Sequence, residues 1–93
     1  MKELEIFYLT DCPYCRHARM AVEELLAENP AYSELSLRWI EENREKELAD
    51  SRDYYRVPTI YLDGEKLYEA SRQDTLEIIK ERFQAAFDRA LAS

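Results

Sequence analysis

Two cysteines, Cys12 and Cys15, stand two residues apart in Thr10-Asp11-Cys12-Pro13-Tyr14-Cys15-Arg16 and are the only cysteines of the 93-residue chain. A thiolate rather than a thiol attacks a disulfide, so a redox cysteine needs surroundings that stabilise negative charge. The first turn of a helix supplies them, through N–H groups without intrahelical partners and the positive end of the macrodipole. Pro13 suits that turn, where a missing N–H costs nothing and φ is already helical. The spacing therefore places Cys12 at the helix mouth, exposed as the attacking thiol. Cys15 falls nearly one turn later on the same side, more buried, as the resolving thiol. A zinc site is the weaker alternative: structural zinc takes four ligands, and His17 is the only histidine. Two inert buried thiols are the other alternative. Against them stands the strand-helix-strand pattern around the pair, the context in which Cys-x-x-Cys is a redox motif.

The elements that must hold this pair follow from the apolar pattern. Residues 3–9 begin in alternation and end as a continuous apolar run, which predicts a central strand covered on both faces. Between Pro13 and Glu28, Cys15, Ala18, Val22, Leu25 and Leu26 recur at three- and four-residue intervals, predicting an amphipathic helix of about four turns that ends at Asn29-Pro30. Residues 35–41 alternate as a second strand, parallel to the first if the helix crosses over between them. The charged stretch Glu42 to Arg52, with Leu48 and Ala49 as its few apolar points, predicts a short surface helix. Of the adjacent Tyr54 and Tyr55, only one can face a core. Val57 to Leu62 and Glu65 to Glu69 are the third and fourth strands, joined through an Asp63-Gly64 hairpin turn. Ser71 and Asp74 make an approximate capping box before a C-terminal helix with the stripe Leu76, Ile79, Phe83, Phe87 and Ala90. The order β-α-β-α-β-β-α predicts one α/β domain over residues 1–93, with a four-stranded mixed sheet and helices on both faces. That arrangement is the thioredoxin fold.

Composition narrows the partners. With 46% apolar residues, one glycine and three prolines, the chain can close a core and has no low-complexity tract. A net charge of −7 argues against nucleic acid and anionic membrane surfaces. No apolar run reaches the ~20 residues of a membrane helix, and the start Met1-Lys2-Glu3-Leu4-Glu5 lacks the charged and apolar regions of a signal peptide. A cytoplasmic monomer is expected, where a lasting structural disulfide is disfavoured.

Cys12-Pro13-Tyr14-Cys15 resembles the active-site signature of glutaredoxins. Val57-Pro58-Thr59, about forty residues later, resembles the cis-proline motif that thioredoxin-fold redox proteins carry beside the dithiol. The resemblance implies that Cys12 is the nucleophile, Cys15 resolves, the Val57–Pro58 bond is cis, and the Val57 backbone pairs with substrate. On physical grounds alone, Pro58 is an edge-strand proline. The chain departs from the family where glutathione binds. Arg56 stands in place of the threonine before Val-Pro, Tyr68-Glu69-Ala70-Ser71 in place of a Gly-Gly pair followed by aspartate, and Leu9-Thr10-Asp11 brings no lysine. Arg16 and Arg56 are the remaining cations for a glutathione carboxylate; the alternative is that both are solvated surface residues. His17 is expected on the helix surface. Tyr14 is expected to be exposed, contacting a partner or shielding Cys15.

These residues point to a cytoplasmic thiol–disulfide oxidoreductase acting on a disulfide-bearing protein or small molecule through Cys12 and Cys15, with Tyr14, Arg16, Arg56, Val57 and Pro58 lining the substrate. No tightly bound cofactor and no metal are expected. Glutathione, as a co-substrate, and a thioredoxin-reductase-type flavoprotein are both open as electron donors, with glutathione expected to bind weakly. The alternative is a non-catalytic redox adaptor or a carrier of an iron–sulfur cluster between two monomers.

Overall fold

Leu4, Ile6 and Phe7 are fully buried in β1 (Glu3–Tyr8), a strand covered on both faces. The computed structural model describes residues 3–93. Met1 and Lys2, on which the reading of the chain's start partly rests, lie outside the described residues. After β1 come α1 (Pro13–Glu28), a 3-10 helix (Pro30–Glu34), β2 (Ser36–Glu41), α2 (Lys46–Asp50), β3 (Thr59–Leu62), β4 (Glu65–Glu69) and α3 (Leu76–Ala92). The sheet order is β2-β1-β3-β4. β1 is parallel to β2, with Ile6 opposite Trp39, and antiparallel to β3, with Ile6 opposite Ile60. β3 and β4 are antiparallel, with an irregularity between Ile60 and Tyr61. This is the thioredoxin fold.

Alternation along β1 divides the core. Leu4 and Ile6 pack with Ala18, Leu25, Phe83 and Phe87 of α1 and α3, whereas Phe7 packs on the other face with Ile40, Tyr61 and Ala49 of α2. The second cluster is small because α2 has five residues and buries only Ala49. Tyr54 packs against Phe7, ring centroids 5.2 Å apart, and Tyr55 is 93% exposed, so the adjacent tyrosines divide as expected. Asp63 (φ 51) and Gly64 (φ 84) both take the left-handed conformation that a two-residue hairpin turn of this kind requires. Among the described residues no helix is long and apolar enough to cross a membrane.

Two local expectations are corrected. Thr75, rather than Ser71, caps α3: its backbone is extended, and its hydroxyl accepts the Ile78 N–H at 3.2 Å. Ser71 and Asp74 instead close a turn upon themselves, the Asp74 carboxylate accepting from the Ser71 N–H (3.1 Å), the Ser71 hydroxyl (2.8 Å) and the Tyr68 hydroxyl. The third strand begins at Thr59 and lies between β1 and β4. Pro58, which has no N–H for a ladder, therefore stands just ahead of an interior strand and is not an edge-strand proline.

Candidate active site

The first wall of the site is the start of α1. Cys12 is the N-cap, in extended conformation, and its Sγ accepts the Cys15 N–H at 3.2 Å, one of the helix-start donors that would otherwise be orphaned. Pro13 occupies the first turn as expected. Both cysteines are free thiols. Cys15 is buried; Cys12 is half-buried, less open than the spacing predicts. The loop before β3 accounts for this, since the Cys12 thiol donates to the Val57 carbonyl at 3.9 Å. Burial pushes the Cys15 thiol up to about 12, and the hydrogen bond and charge of Cys12 add to the rise. The Glu42 carboxylate contributes in the same direction. Glu42 is itself placed by its N–H on the Tyr8 carbonyl (3.1 Å) and by the Tyr54 hydroxyl, which donates to it at 2.6 Å.

The second wall is the segment before β3. The Val57–Pro58 bond is cis, Pro58 is fully buried and Val57 packs against the Phe7 cluster. Bonds from the end of β4 hold this segment. The Ala70 N–H donates to the Pro58 carbonyl at 3.1 Å. The Glu69 carboxylate accepts the N–H groups of Tyr55 (2.9 Å) and Arg56 (3.0 Å) and pairs with Lys66 (2.8 Å). Within the segment, the Thr59 hydroxyl donates to the Arg56 carbonyl at 2.5 Å. Burial alone would raise the Glu69 carboxyl, but Lys66 and the two amides outweigh it and hold the group below its ordinary value. Glu69 is absent from the residues that the sequence points to. Its only signal there is a carboxylate at the end of a strand, three residues after Lys66.

The structure thus brings Cys12, Cys15, Val57 and Pro58 together. Tyr14 is not the exposed arm that the motif predicts. It packs against the larger core, and its hydroxyl donates to the Arg72 carbonyl at 3.1 Å, which tethers the first turn of α1 to the segment before α3. Arg16 is exposed beside Cys15. Arg56 is exposed too, with its N–H committed to Glu69. Neither guanidinium has a carboxylate partner among the described residues. His17 is half-buried rather than on the surface, and its Nδ1 is buried without a hydrogen-bond partner. Among the described residues no three His, Cys, Asp or Glu side chains come together in a way that could hold a metal ion.

A family model described as "Glutathione S-transferase, N-terminal domain" matches residues 6–89. No curated protein matches the chain. Among solved structures, thioredoxin 1 from the thermophilic eubacterium Thermosipho africanus TCF52B superposes with a TM-score of 0.60 at 10% identity, covering 96% of this chain and 98% of that one. A mutant thioredoxin from Halobacterium salinarum NRC-1 superposes with a TM-score of 0.58 at 22% identity, covering 90% of this chain and 73% of that one. At these identities the two thioredoxins bear on the fold alone.

Proposed function

From the premise that the chain belongs to the glutathione S-transferase N-terminal domain family, and from its dithiol, we propose that it is a glutaredoxin-like thiol–disulfide oxidoreductase. One observation carries the proposal: the half-buried Cys12 Sγ caps a helix within 3.9 Å of the Val57 carbonyl, with a second thiol buried one turn behind it. The Cys12 thiolate attacks one sulfur of a substrate disulfide. That S–S bond breaks, one half leaves as a thiol after taking a proton from solvent, and the other half stays as a mixed disulfide on Cys12. The Cys15 thiolate then attacks the Cys12 Sγ, and the second half leaves as a thiol. The substrate has gained two electrons, and the chain holds a Cys12–Cys15 disulfide.

Electrostatics support this order. While Cys12 bears the charge, its hydrogen bond and its field help to keep Cys15 protonated. Forming the mixed disulfide removes that charge, so Cys15 becomes easier to ionise just when it must act. Timed iodoacetamide labelling with peptide mapping is expected to modify Cys12 before Cys15; the reverse order overturns the assignment.

A donor must return the chain to its dithiol form. The family's name speaks for glutathione, and Arg16 and Arg56 are cations free to meet its carboxylates. Against it stand the net charge of −7 and the absence of glycines after Glu69 that would let backbone N–H groups approach a small ligand. We therefore expect faster turnover with a thioredoxin-reductase-type flavoprotein. The deciding assay reduces a model disulfide with NADPH as the electron source, once through glutathione and its reductase and once through thioredoxin reductase. Faster turnover with glutathione reverses the donor assignment, and no turnover with either donor overturns the enzyme.

A further inference from the structure

Three arginines line one cleft beside the dithiol, in a chain where acids outnumber bases 20 to 13. The cleft holds about 330 Å³ between the end of β1, the first turns of α1 and the loop after β2; Thr10, Cys15, Arg16, Arg19 and Arg44 face it. Of the other bases, Arg38, Arg52, Lys66, Lys80 and Arg89 each have a carboxylate within 3.0 Å, while Lys46, Arg56, Arg72 and Arg82 lie outside the cleft without such an ion pair among the described residues. Arg16, Arg19 and Arg44 have none among the described residues. Arg19 is instead fixed over the rings of Trp39 (3.8 Å) and Tyr8 (5.0 Å), a cation–π placement that leaves its N–H donors free for an anion. Of the acids near the cleft, Glu41 is occupied by the Thr10 hydroxyl (3.2 Å) and the Asn43 N–H (2.6 Å), and Glu42 accepts the Tyr54 hydroxyl at 2.6 Å.

Guanidinium forks match carboxylates in a planar, two-bond geometry. We propose that this cleft seats an acidic side chain of a protein substrate, one that flanks the disulfide attacked by Cys12. The inference rests on the oxidoreductase reading and names its substrate class. Cys15 lines the cleft and gives its N–H to the Cys12 sulfur at 3.2 Å, so the cleft opens next to the residue that contacts the attacking thiol. A free small anion fits less well. It meets the repulsion of the whole molecule at long range, whereas an acid on a chain already docked at the dithiol is presented at an effective concentration in the millimolar range. The arginines are also spread over two walls, Arg16 and Arg19 a helical turn apart and Arg44 on the loop, as suits an extended acidic segment.

Trp39 is the only tryptophan and lies under Arg19, so its fluorescence reports on the cleft independently of turnover. The test compares the wild-type chain with the double variant Arg16→Gln/Arg44→Gln at low ionic strength, where exposed charges are least screened. A cysteine-free, acetylated, aspartate-rich peptide is expected to change Trp39 fluorescence saturably, its asparagine counterpart is not, and the double variant is expected to bind about tenfold more weakly. Inorganic phosphate binding more tightly than the acidic peptide, or an unchanged affinity in the double variant, overturns the inference. In the second arm, peptide disulfides with aspartate or asparagine flanks are reduced. The kcat/KM ratio is expected to favour aspartate by about five- to tenfold in the wild type and to fall to about one in the double variant. Reduction of both peptides without preference overturns the inference alone, and failure to reduce either overturns the oxidoreductase reading together with it.

Discussion

The two walls of the site are held by different means. The helix wall is local: the Cys12 cap, Pro13 in the first turn and the Cys15 N–H lie within four consecutive residues. The loop wall is assembled from a distance, with Glu69 and Ala70 at the end of β4 holding residues 55–58. A change in the β3–β4 hairpin can therefore reshape the loop side of the groove from outside the helix turn that carries both thiols, with the Val57 carbonyl on the Cys12 thiol as a contact between the two walls. The wall that carries both thiols depends on a helix start that the core of α1 and α3 secures.

The largest effect that would break this division is on turnover. Cys12→Ser is expected to lower disulfide reduction by more than about a thousandfold, the scale of losing a nucleophile, and to trap nothing. Cys15→Ser is expected to accumulate mixed disulfides on Cys12 because no resolving thiol remains. Non-reducing gels with a model disulfide distinguish them; trapping by the Cys12 variant would reverse the roles.

On the loop wall, Glu69→Ala removes the acceptor of the Tyr55 and Arg56 amides and the carboxylate paired with Lys66, which keeps the Asp53 carbonyl at 3.3 Å. Denaturant unfolding is expected to show a loss of about 1 to 3 kcal/mol, and disulfide reduction a raised KM, while Cys12 alkylation stays within about twofold of wild type. Altered alkylation at unchanged stability would mean that the two walls are not separable.

A pH titration of stability sharpens the comparison with a smaller effect at opposite ends of the scale. Cys15 is raised from 9.0 to about 12 in the folded chain, so its contribution is full below pH 9 and is lost as pH rises towards 12. The slope is about 1.4 kcal/mol per pH unit for one proton, so about 1.4 kcal/mol of the contribution is lost by pH 10. Glu69 and Asp74 are held below their ordinary values, so their contributions are full above the ordinary carboxylate range of about 4 and are lost as pH falls through the lowered values. Under reducing conditions Cys15→Ser is expected to flatten the alkaline limb, with Tyr54 and Tyr68, both raised by burial, keeping part of it. Glu69→Gln is expected to flatten the acid limb. A Cys15→Ser chain with an unchanged alkaline limb would show that the buried thiol does not govern the helix wall.

Where the sequence was a sufficient guide, the governing interactions are short in range. The Asp63-Gly64 turn, the stop at Asn29-Pro30 and the start of α1 at Pro13 each rest on residues within a few positions. Ser71 and Asp74 show the limit of that reasoning. Their spacing fits a cap, but the same side chains can close a turn on themselves, and Tyr68, three residues earlier, favours the turn. Tyr14 shows another: its motif names a position, and only the approach of Arg72, 58 residues away, commits its hydroxyl.

By itself the sequence determined the element order, the division of β1 between two faces and the placing of Cys12 and Cys15 at a helix start, because periodicity, capping and turn chemistry act over three or four residues. Tertiary structure alone decided which carboxylate braces the Val57 segment, that Pro58 precedes an interior strand, and which arginines remain without an acid. With 20 acids and 13 bases, many pairings are possible along the chain, and only the packed sheet brings Glu69 to residues 55–56 and leaves Arg16, Arg19 and Arg44 around one cleft.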